Sequence, residues 1–194
     1  QFDDYGVCSA CNYNLMKTKE IDWKSREDKL FELLEPYRSS NGEHDILVPS
    51  SGGKDSSFTA HILKYKYKMN PLTITWAPNL FTRAGWNNFN SLAKVGGIDN
   101  ILFTPNGKLH SYLTKLAFTN LGHPFQPFIH GQKIVGPNIA SKFGIKLVMY
   151  GENQAEYGNP LDQNQNPFMD LSFFSINNPM DIMFGGESIK EIIN

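Results

Sequence analysis

The densest chemistry in the chain lies in Ser51-Gly52-Gly53-Lys54-Asp55-Ser56, with Ser57 adding one more hydroxyl. These residues sit between a short apolar run, Asp45 to Pro49, and a stretch whose apolar residues recur at helical spacing. Adjacent glycines let a backbone turn sharply and approach a guest closely. The first turn of a following helix adds unpaired N–H groups at the positive end of its dipole. An anion is the natural guest, phosphate above all. A Walker loop needs a glycine five residues before its Gly-Lys pair and Ser or Thr directly after the lysine. Val48 and Asp55 stand at those positions, so that reading fails. A carboxylate beside a phosphate cradle repels its guest unless a divalent cation lies between them, which makes Asp55 a candidate Mg2+ contact. Lys54 supplies a point charge, and Ser51, Ser56 and Ser57 supply hydroxyls. The alternative is a glycine-rich turn with no ligand.

The elements that must position this loop alternate along the chain. Strand one is expected over Asp45 to Pro49, followed by a helix from about Ser56 to Lys68 with Phe58, Ile62 and Tyr65 on one face and Ala60, Leu63 and Tyr67 beside it. Leu72 to Trp76 is β-branched and aromatic between turn residues and reads as strand two. A helix over about Thr82 to Lys94, presenting Trp86, Phe89 and Ala93, ends at Gly96-Gly97, and strand three covers Asn100 to Thr104. Gly107 to Asn120 is a helix with Leu109, Tyr112, Leu113, Leu116 and Ala117 inward. Leu121 to Gly131, with two prolines, breaks the rhythm as a packed connector or as a pocket wall in which His123 or His130 touches substrate. Pro137 to Phe143 is the next helix and Ile145 to Tyr150 is strand four. Strands and helices of these lengths imply an α/β fold, a doubly wound parallel sheet built from right-handed crossovers.

Ligands of such sheets lie over the carboxyl ends of the strands. Trp76 and Ala77 fall where a nucleotide base would be met, although Trp76 is equally well read as a core aromatic. Strand four runs into Gly151-Glu152-Asn153, with Glu156 close behind. Gly151 permits close approach, and Glu152, Asn153 and Glu156 offer acceptors for hydroxyls, an amide or a second cation shell. A polar surface loop is the alternative there.

Cys8 and Cys11 are the only cysteines, three residues apart, at the spacing with which one knuckle turn can aim two thiols at one metal ion. No histidine pair at ligand spacing completes a tetrahedral set. The readings left open are half of a zinc knuckle, a redox or iron–sulfur pair, and two unrelated thiols. Glu20 to Tyr37 reads as one amphipathic helix closed by Pro36. The expected organisation is a Cys-bearing segment and linking helix over 1–40, the loop-bearing domain over 41–160, and the start of a further region over 161–194.

With 194 residues, 40% hydrophobic and 19% charged, the chain has the composition of a globular protein rather than a disordered one. No apolar run approaches the ~20 residues of a bilayer crossing, and no leader opens the chain, so no membrane partner and a cytoplasmic location are expected. The net charge of −1, with Lys and Arg scattered apart from Lys64, Lys66 and Lys68, counts against nucleic acid. The chain starts at Gln1 and ends in what reads as a helix just begun, so a fragment of a longer protein is expected.

Ser51 to Ser56 resembles the PP-loop of the ATP pyrophosphatase superfamily, whose members bind the pyrophosphate end of ATP and transfer AMP to an acceptor oxygen. The resemblance implies an adenine nucleotide α-hydrolase-like fold in which strand-two backbone reads the adenine. Gly6-Val7-Cys8 with Cys11, Trp23-Lys24 with Arg26, the loop itself, and Gly151-Glu152-Asn153 with Glu156-Tyr157 together resemble, in this order, the N-acetyl sugar amidotransferases of bacterial surface-glycan pathways. Those enzymes are associated with acetamidino sugars, with pseudaminic or legionaminic acid derivatives, and with lipopolysaccharide O-antigen biosynthesis. The resemblance covers most of the chain and is strongest over 48–57 and 150–158. The family pattern has a further cysteine pair upstream and continues beyond Asn194.

What the resemblance implies is an ATP- and Mg2+-dependent ligase. Lys54 and Asp55 would be catalytic, Ser51, Gly52, Gly53, Ser56, Ser57, Trp76 and Gly151 would meet the nucleotide, and Glu152, Asn153 and Glu156 the sugar. Zn2+ would sit on Cys8, Cys11 and the upstream pair. The amide oxygen would attack the α-phosphate, and ammonia would displace AMP to give the amidine. A separate glutaminase would supply the ammonia, with a channel-forming second subunit as a further candidate partner, and a homo-oligomer is a candidate assembly. A PP-loop tRNA thiolase or lysidine-type ligase is the first alternative, and a nucleotide-binding assembly subunit the second.

Overall fold

The computed structural model describes residues 2–152 and 182–193 and divides into two compact units, Gln1–Arg38 and Ser39–Asn194. In the first unit, α1 (Ser9–Lys19) precedes α2 (Trp23–Leu34) and a 3-10 turn over Glu35–Tyr37. The single helix expected over Glu20 to Tyr37 is shorter. Asp22 accepts from Ser25 N and so starts α2 at Trp23, while Pro36 stands in the 3-10 turn. Helix α1 was not foreseen, because its apolar residues are interleaved with asparagines and none of its side chains is buried. It is tied to α2 by the Trp23 indole, which donates to the Lys17 carbonyl at 2.8 Å.

The second unit runs β1 (Ile46–Pro49), α3 (Lys54–Tyr65), β2 (Pro71–Trp76), α4 (Arg83–Lys94), β3 (Asp99–Phe103), α5 (Gly107–Leu121), α6 (Gln126–Lys142), a small hairpin β4 (Met183–Phe184) and β5 (Glu187–Ser188), then α7 (Ile189–Ile193). The sheet is parallel in the order β1-β2-β3. The expected fourth strand is present as a single parallel bridge on the free edge of β1. Leu47 N donates to Leu147 O and Leu47 O accepts from Met149 N, both at 2.9 Å. The ladder stops there for a covalent reason: the next donor along that edge would be the N–H of Pro49, which does not exist.

Pleating sorts the strand side chains by face. Leu47, Leu72 and Ile74 pack with Val135, Ala140 and Ile145 and, at the margin, Trp76, Ile101, Ile139 and Val148, so α6 covers this face. Ile46 and Val48 are fully buried on the other face, where right-handed crossovers place α3 and α4. That face carries a polar ladder. The Asn100 amide donates to Thr73 Oγ1 and Thr75 Oγ1 at 2.9 and 3.0 Å, while the threonine protons go to Asp99 O and Ser50 O. Both amide protons and both hydroxyl protons are thereby spent, which fixes the amide's orientation.

Three sequence expectations change here. The buried stripes match the expected ones only in part: Ala60 and Leu63 on α3 and Leu113 and Ala117 on α5 are buried as expected, joined by Ser56 on α3, Leu92 on α4 and His110 on α5. Phe58, Tyr65, Leu109 and Tyr112 stand largely in solvent. Helix α3 begins two residues earlier than expected, which puts Lys54 and Asp55 inside its first turn. The connector over Leu121 to Gly131 and the helix over Pro137 to Phe143 are largely one helix, α6. Gly122, at φ 65°, closes α5, Pro127 occupies the first turn of α6 where no N–H is needed, and Pro137 lies within α6. Pro137 leaves the Lys133 carbonyl without its helical donor, and the Tyr150 hydroxyl approaches that oxygen at 3.4 Å. Among the described residues, no helix is long and apolar enough to cross a membrane.

Helix α6 approaches the sheet at Gly131, where a Cβ would lie 2.3 Å from the Trp76 ring. Trp76 is held on its other side by Phe103, with ring centroids 5.0 Å apart. Gly131→Ala is therefore expected to cost about 1–3 kcal/mol through overpacking, read as a lowered urea midpoint. An unchanged midpoint would mean that the Trp76 ring shifts freely.

Candidate functional site

Strand β1 hands over to α3 through Ser50, Ser51, Gly52 and Gly53. Ser50 is 5% exposed and bonded to β2 through both halves of its backbone, its N–H donating to Ile74 O at 2.9 Å and its carbonyl accepting from the Thr75 hydroxyl. Gly52 turns the chain at φ 80°, where a Cβ would fall 2.7 Å from Phe89 Cα of α4. Left-handed conformation and contact together leave room only for glycine. Gly53, in extended conformation, is the N-cap of α3 and brings no side chain to that end. The first helical bond is Ser57 N to Gly53 O at 3.0 Å, so the N–H groups of Asp55 and Ser56 are left for water or a guest.

Around this turn the serines make a relay. Gly52 N donates to Ser50 Oγ at 3.2 Å, Ser50 Oγ to Ser56 Oγ at 3.0 Å, and Ser56 Oγ to Gly53 O at 3.4 Å. Ser51 Oγ accepts from Gly53 N at 3.4 Å. Lys54 Nζ lies 2.8 and 3.0 Å from the two Asp55 oxygens, with 89% and 62% of the respective side chains exposed. A pair this exposed is weakly held, so both partners can be re-employed at little cost.

Gly151 closes the other side. A Cβ on it would stand 2.7 Å from Ser56 Cα and 2.9 Å from the Asp55 carbonyl carbon, so the chain leaving residues 145–150 lies directly on the first turn of α3. The close approach expected of Gly151 is thus made to this turn. Glu152 follows and is exposed, while Asn153 and Glu156 lie outside the described residues. Tyr150 is largely buried, and burial first, with the Glu152 carboxylate second, pushes its hydroxyl up to about 12.

Trp76 lies at the carboxyl end of β2, but its ring belongs to the apolar cluster between Phe103 and Gly131. The Ala77 N–H at the same strand end is bonded to Phe103 O at 2.8 Å. His110, which the sequence did not single out, is buried with its ring centroid 6.3 Å from that of Trp76. Of the two connector histidines, His123 faces Phe125, and His130 meets Phe184 edge-on at 5.5 Å. Burial, then the nearby Lys133 charge, holds the His130 ring below the usual imidazole range. Ser50 is the residue of the turn that sequence reasoning missed. The available signal was a polar side chain at the end of an otherwise apolar strand.

The two cysteines stand at the start of α1. Cys8 is the N-cap, its sulfur accepting from Cys11 N at 3.3 Å, and the two Sγ atoms are 3.2 Å apart as free thiols. The Cys11 thiol hydrogen bond holds Cys8 below the usual thiol range and pushes Cys11 above it. Among the described residues, no group of three or more His, Cys, Asp or Glu side chains converges on a metal position, so this pair supplies two of the four ligands that a closed zinc site needs. The loop is different. N–H groups without a helical acceptor, hydroxyls, one ammonium and one exposed carboxylate form a donor set that fits a polyphosphate carrying a divalent cation.

No family model matches the chain, and no curated protein matches it. Among solved structures, the NH3-dependent NAD synthetase from Campylobacter jejuni subsp. jejuni, in complex with the nitrate ion, is similar with a TM-score of 0.48 and 14% sequence identity. The similarity covers 71% of this chain and 59% of that one, so this chain matches less than two thirds of that structure's length.

The raised Tyr150 hydroxyl has a consequence for stability. The unfolded chain releases this proton near its ordinary value of about 10, whereas the folded chain keeps it up to about 12. Between those values the unfolded state holds fewer protons, so stability falls as pH rises. Urea midpoints from about pH 9 to about pH 12 should decline, with the decline reduced in Tyr150→Phe. Phenolate absorbance that places Tyr150 at its ordinary value would contradict the burial described.

Proposed function

We propose that this chain binds Mg-ATP at the turn between β1 and α3 and transfers AMP to the amide oxygen of an N-acetylated sugar, so that ammonia can convert acetamido to acetamidino. The observation that carries the reading is the first turn of α3. It has no capping side chain, is bent into place by Gly52, and is flanked by the exposed Lys54–Asp55 pair and by Gly151-Glu152. The surface-glycan sugar is the acceptor supported by the sequence resemblance at the loop and at Gly151-Glu152-Asn153 with Glu156-Tyr157.

In this reading the N–H groups of Asp55 and Ser56, with the hydroxyls of Ser51, Ser56 and Ser57, hold the β- and γ-phosphates, and Lys54 leaves Asp55 to meet phosphate oxygen. Asp55 would hold Mg2+, which neutralises phosphate charge and stabilises the departing pyrophosphate. The amide oxygen forms a bond to the α-phosphorus as the bond to the bridging oxygen breaks, giving an O-adenylyl imidate and pyrophosphate. Ammonia adds to the imidate carbon, AMP leaves with the former amide oxygen, and loss of a proton leaves the amidine. The chain's contribution is electrostatic and positional. Glu152, with Asn153 and Glu156, would meet the sugar. A separate glutaminase in the cytoplasm, with a channel subunit, would deliver the ammonia. Zn2+ on Cys8, Cys11 and an upstream pair would be structural.

The deciding assay gives the full-length protein Mg-ATP, ammonium and a panel of free, UDP- and CMP-linked N-acetylated sugars, with products identified by mass spectrometry. AMP, pyrophosphate and a sugar in which oxygen has been replaced by NH are expected. ADP with phosphate would overturn the mechanism, and AMP formed only with tRNA would transfer the site to RNA modification. Lys54→Ala and Asp55→Ala should each lower turnover by about 100-fold or more, while the urea midpoint moves by no more than a loss of about 0.3–1 kcal/mol allows. Wild-type activity in both would remove the loop from the chemistry.

A further inference from the structure

We propose that Ser50, the residue preceding the loop, is a positioning residue that sets the Ser56 hydroxyl as a donor to the pyrophosphate end of ATP. This rests on the nucleotide reading above. The proton bookkeeping of the buried relay gives it a direction. Gly52 N–H can only donate, so Ser50 Oγ accepts from it at 3.2 Å. Ser50 has a single hydroxyl proton, and Ser56 Oγ is its acceptor, 3.0 Å away. The Ser56 proton is therefore directed away from Ser50, and its present acceptor is the Gly53 carbonyl at 3.4 Å, a long contact that holds it weakly. An anion at the first turn of α3 offers that proton a stronger, charge-assisted partner.

Ser50 can impose this order because it cannot move. Its N–H and C=O are both bonded to β2, and its side chain is enclosed. Without its hydroxyl, Ser56 could rotate to other partners, and the Gly52 N–H would lose its acceptor at the residue that bends the loop.

The test measures inorganic pyrophosphate affinity by calorimetry, together with KM and kcat for AMP formation, in full-length wild type, Ser50→Ala, Ser50→Thr, Ser56→Ala and the Ser50→Ala/Ser56→Ala double variant. Ser50→Ala should weaken pyrophosphate binding and raise KM for ATP by about tenfold, leaving KM for sugar and for ammonium unchanged. Ser50→Thr, which keeps the hydroxyl, should recover most of the loss. In the Ser56→Ala background the Ser50→Ala change should cost less than it does in the wild type, because the part of its influence that passes through Ser56 is already gone. Additive losses in the double variant, or undiminished pyrophosphate affinity in Ser50→Ala, would overturn the inference while leaving the nucleotide reading intact. Failure of the wild type to bind either pyrophosphate or Mg-ATP would overturn both.

Discussion

Everything at the candidate site depends on where β1 stops and α3 starts, and two hydrogen bonds decide that. Ser50 donates its N–H to Ile74 and receives the Thr75 hydroxyl on its carbonyl, so the last residue of the strand run is clamped to β2. From a fixed Ser50, three residues must reverse the chain into a helix, and only a left-handed residue at Gly52 does so without striking α4. The Asn100 amide stabilises the clamp at one remove by donating to the oxygen of Thr75, whose proton is then committed to Ser50. A buried polar ladder on a sheet face thus ends in the geometry of an exposed turn.

The second constraint is the absence of side chains at points of backbone approach. Gly52 against Phe89 and Gly151 against Asp55 and Ser56 bring three segments to the same few ångströms around the first turn of α3. In each contact a glycine outside regular structure lies against helix backbone, Gly52 on α4 and Gly151 on α3, which is why the site is built from glycines rather than from an apolar interface. Trp76 and Gly131 show the same economy inside the core, where an indole lies flat on a helix that offers it no Cβ.

The order of elements from β1 to α5 was legible, because each has a clear period and a turn signal at its ends, and Thr82 and Asn106 do cap α4 and α5 as their residue types suggest. The loop was legible because six adjacent residues carried its chemistry. What failed has separate physical causes. Pro137 reads as a helix start, yet a carbonyl freed inside a helix is tolerable when another donor is near, and the Tyr150 hydroxyl comes from outside the local sequence. The fourth strand shrank to a bridge because Pro49, on a different segment, removes the next donor. The buried faces of α3 and α5 were legible only in part, because the largest apolar residues are not the enclosed ones: Ala60 and Ala117 are fully buried while Phe58 and Tyr112 are exposed. Ser50 escaped notice because its role lies in hydrogen bonds to Gly52 and Ser56, which composition does not reveal.

The Lys54–Asp55 pair gives the site its electrostatic logic. Asp55 sits in the first turn of α3, where a carboxylate is favoured by the dipole to the extent of about 0.3–1 kcal/mol, and that is the charge an incoming anion would replace. Lys54 covers both oxygens of the carboxylate and limits the local excess of negative charge. A free phosphate would meet the helix terminus and the ammonium but also the carboxylate, so its net attraction is modest. A polyphosphate that carries its own divalent cation meets every group with the opposite sign: anion to N–H and Lys54, cation to Asp55. In the proposed reading, adjacent opposite charges at an otherwise uncapped helix start would discriminate against simple anions and in favour of a metal-bound polyphosphate, a selectivity that neither residue could supply alone.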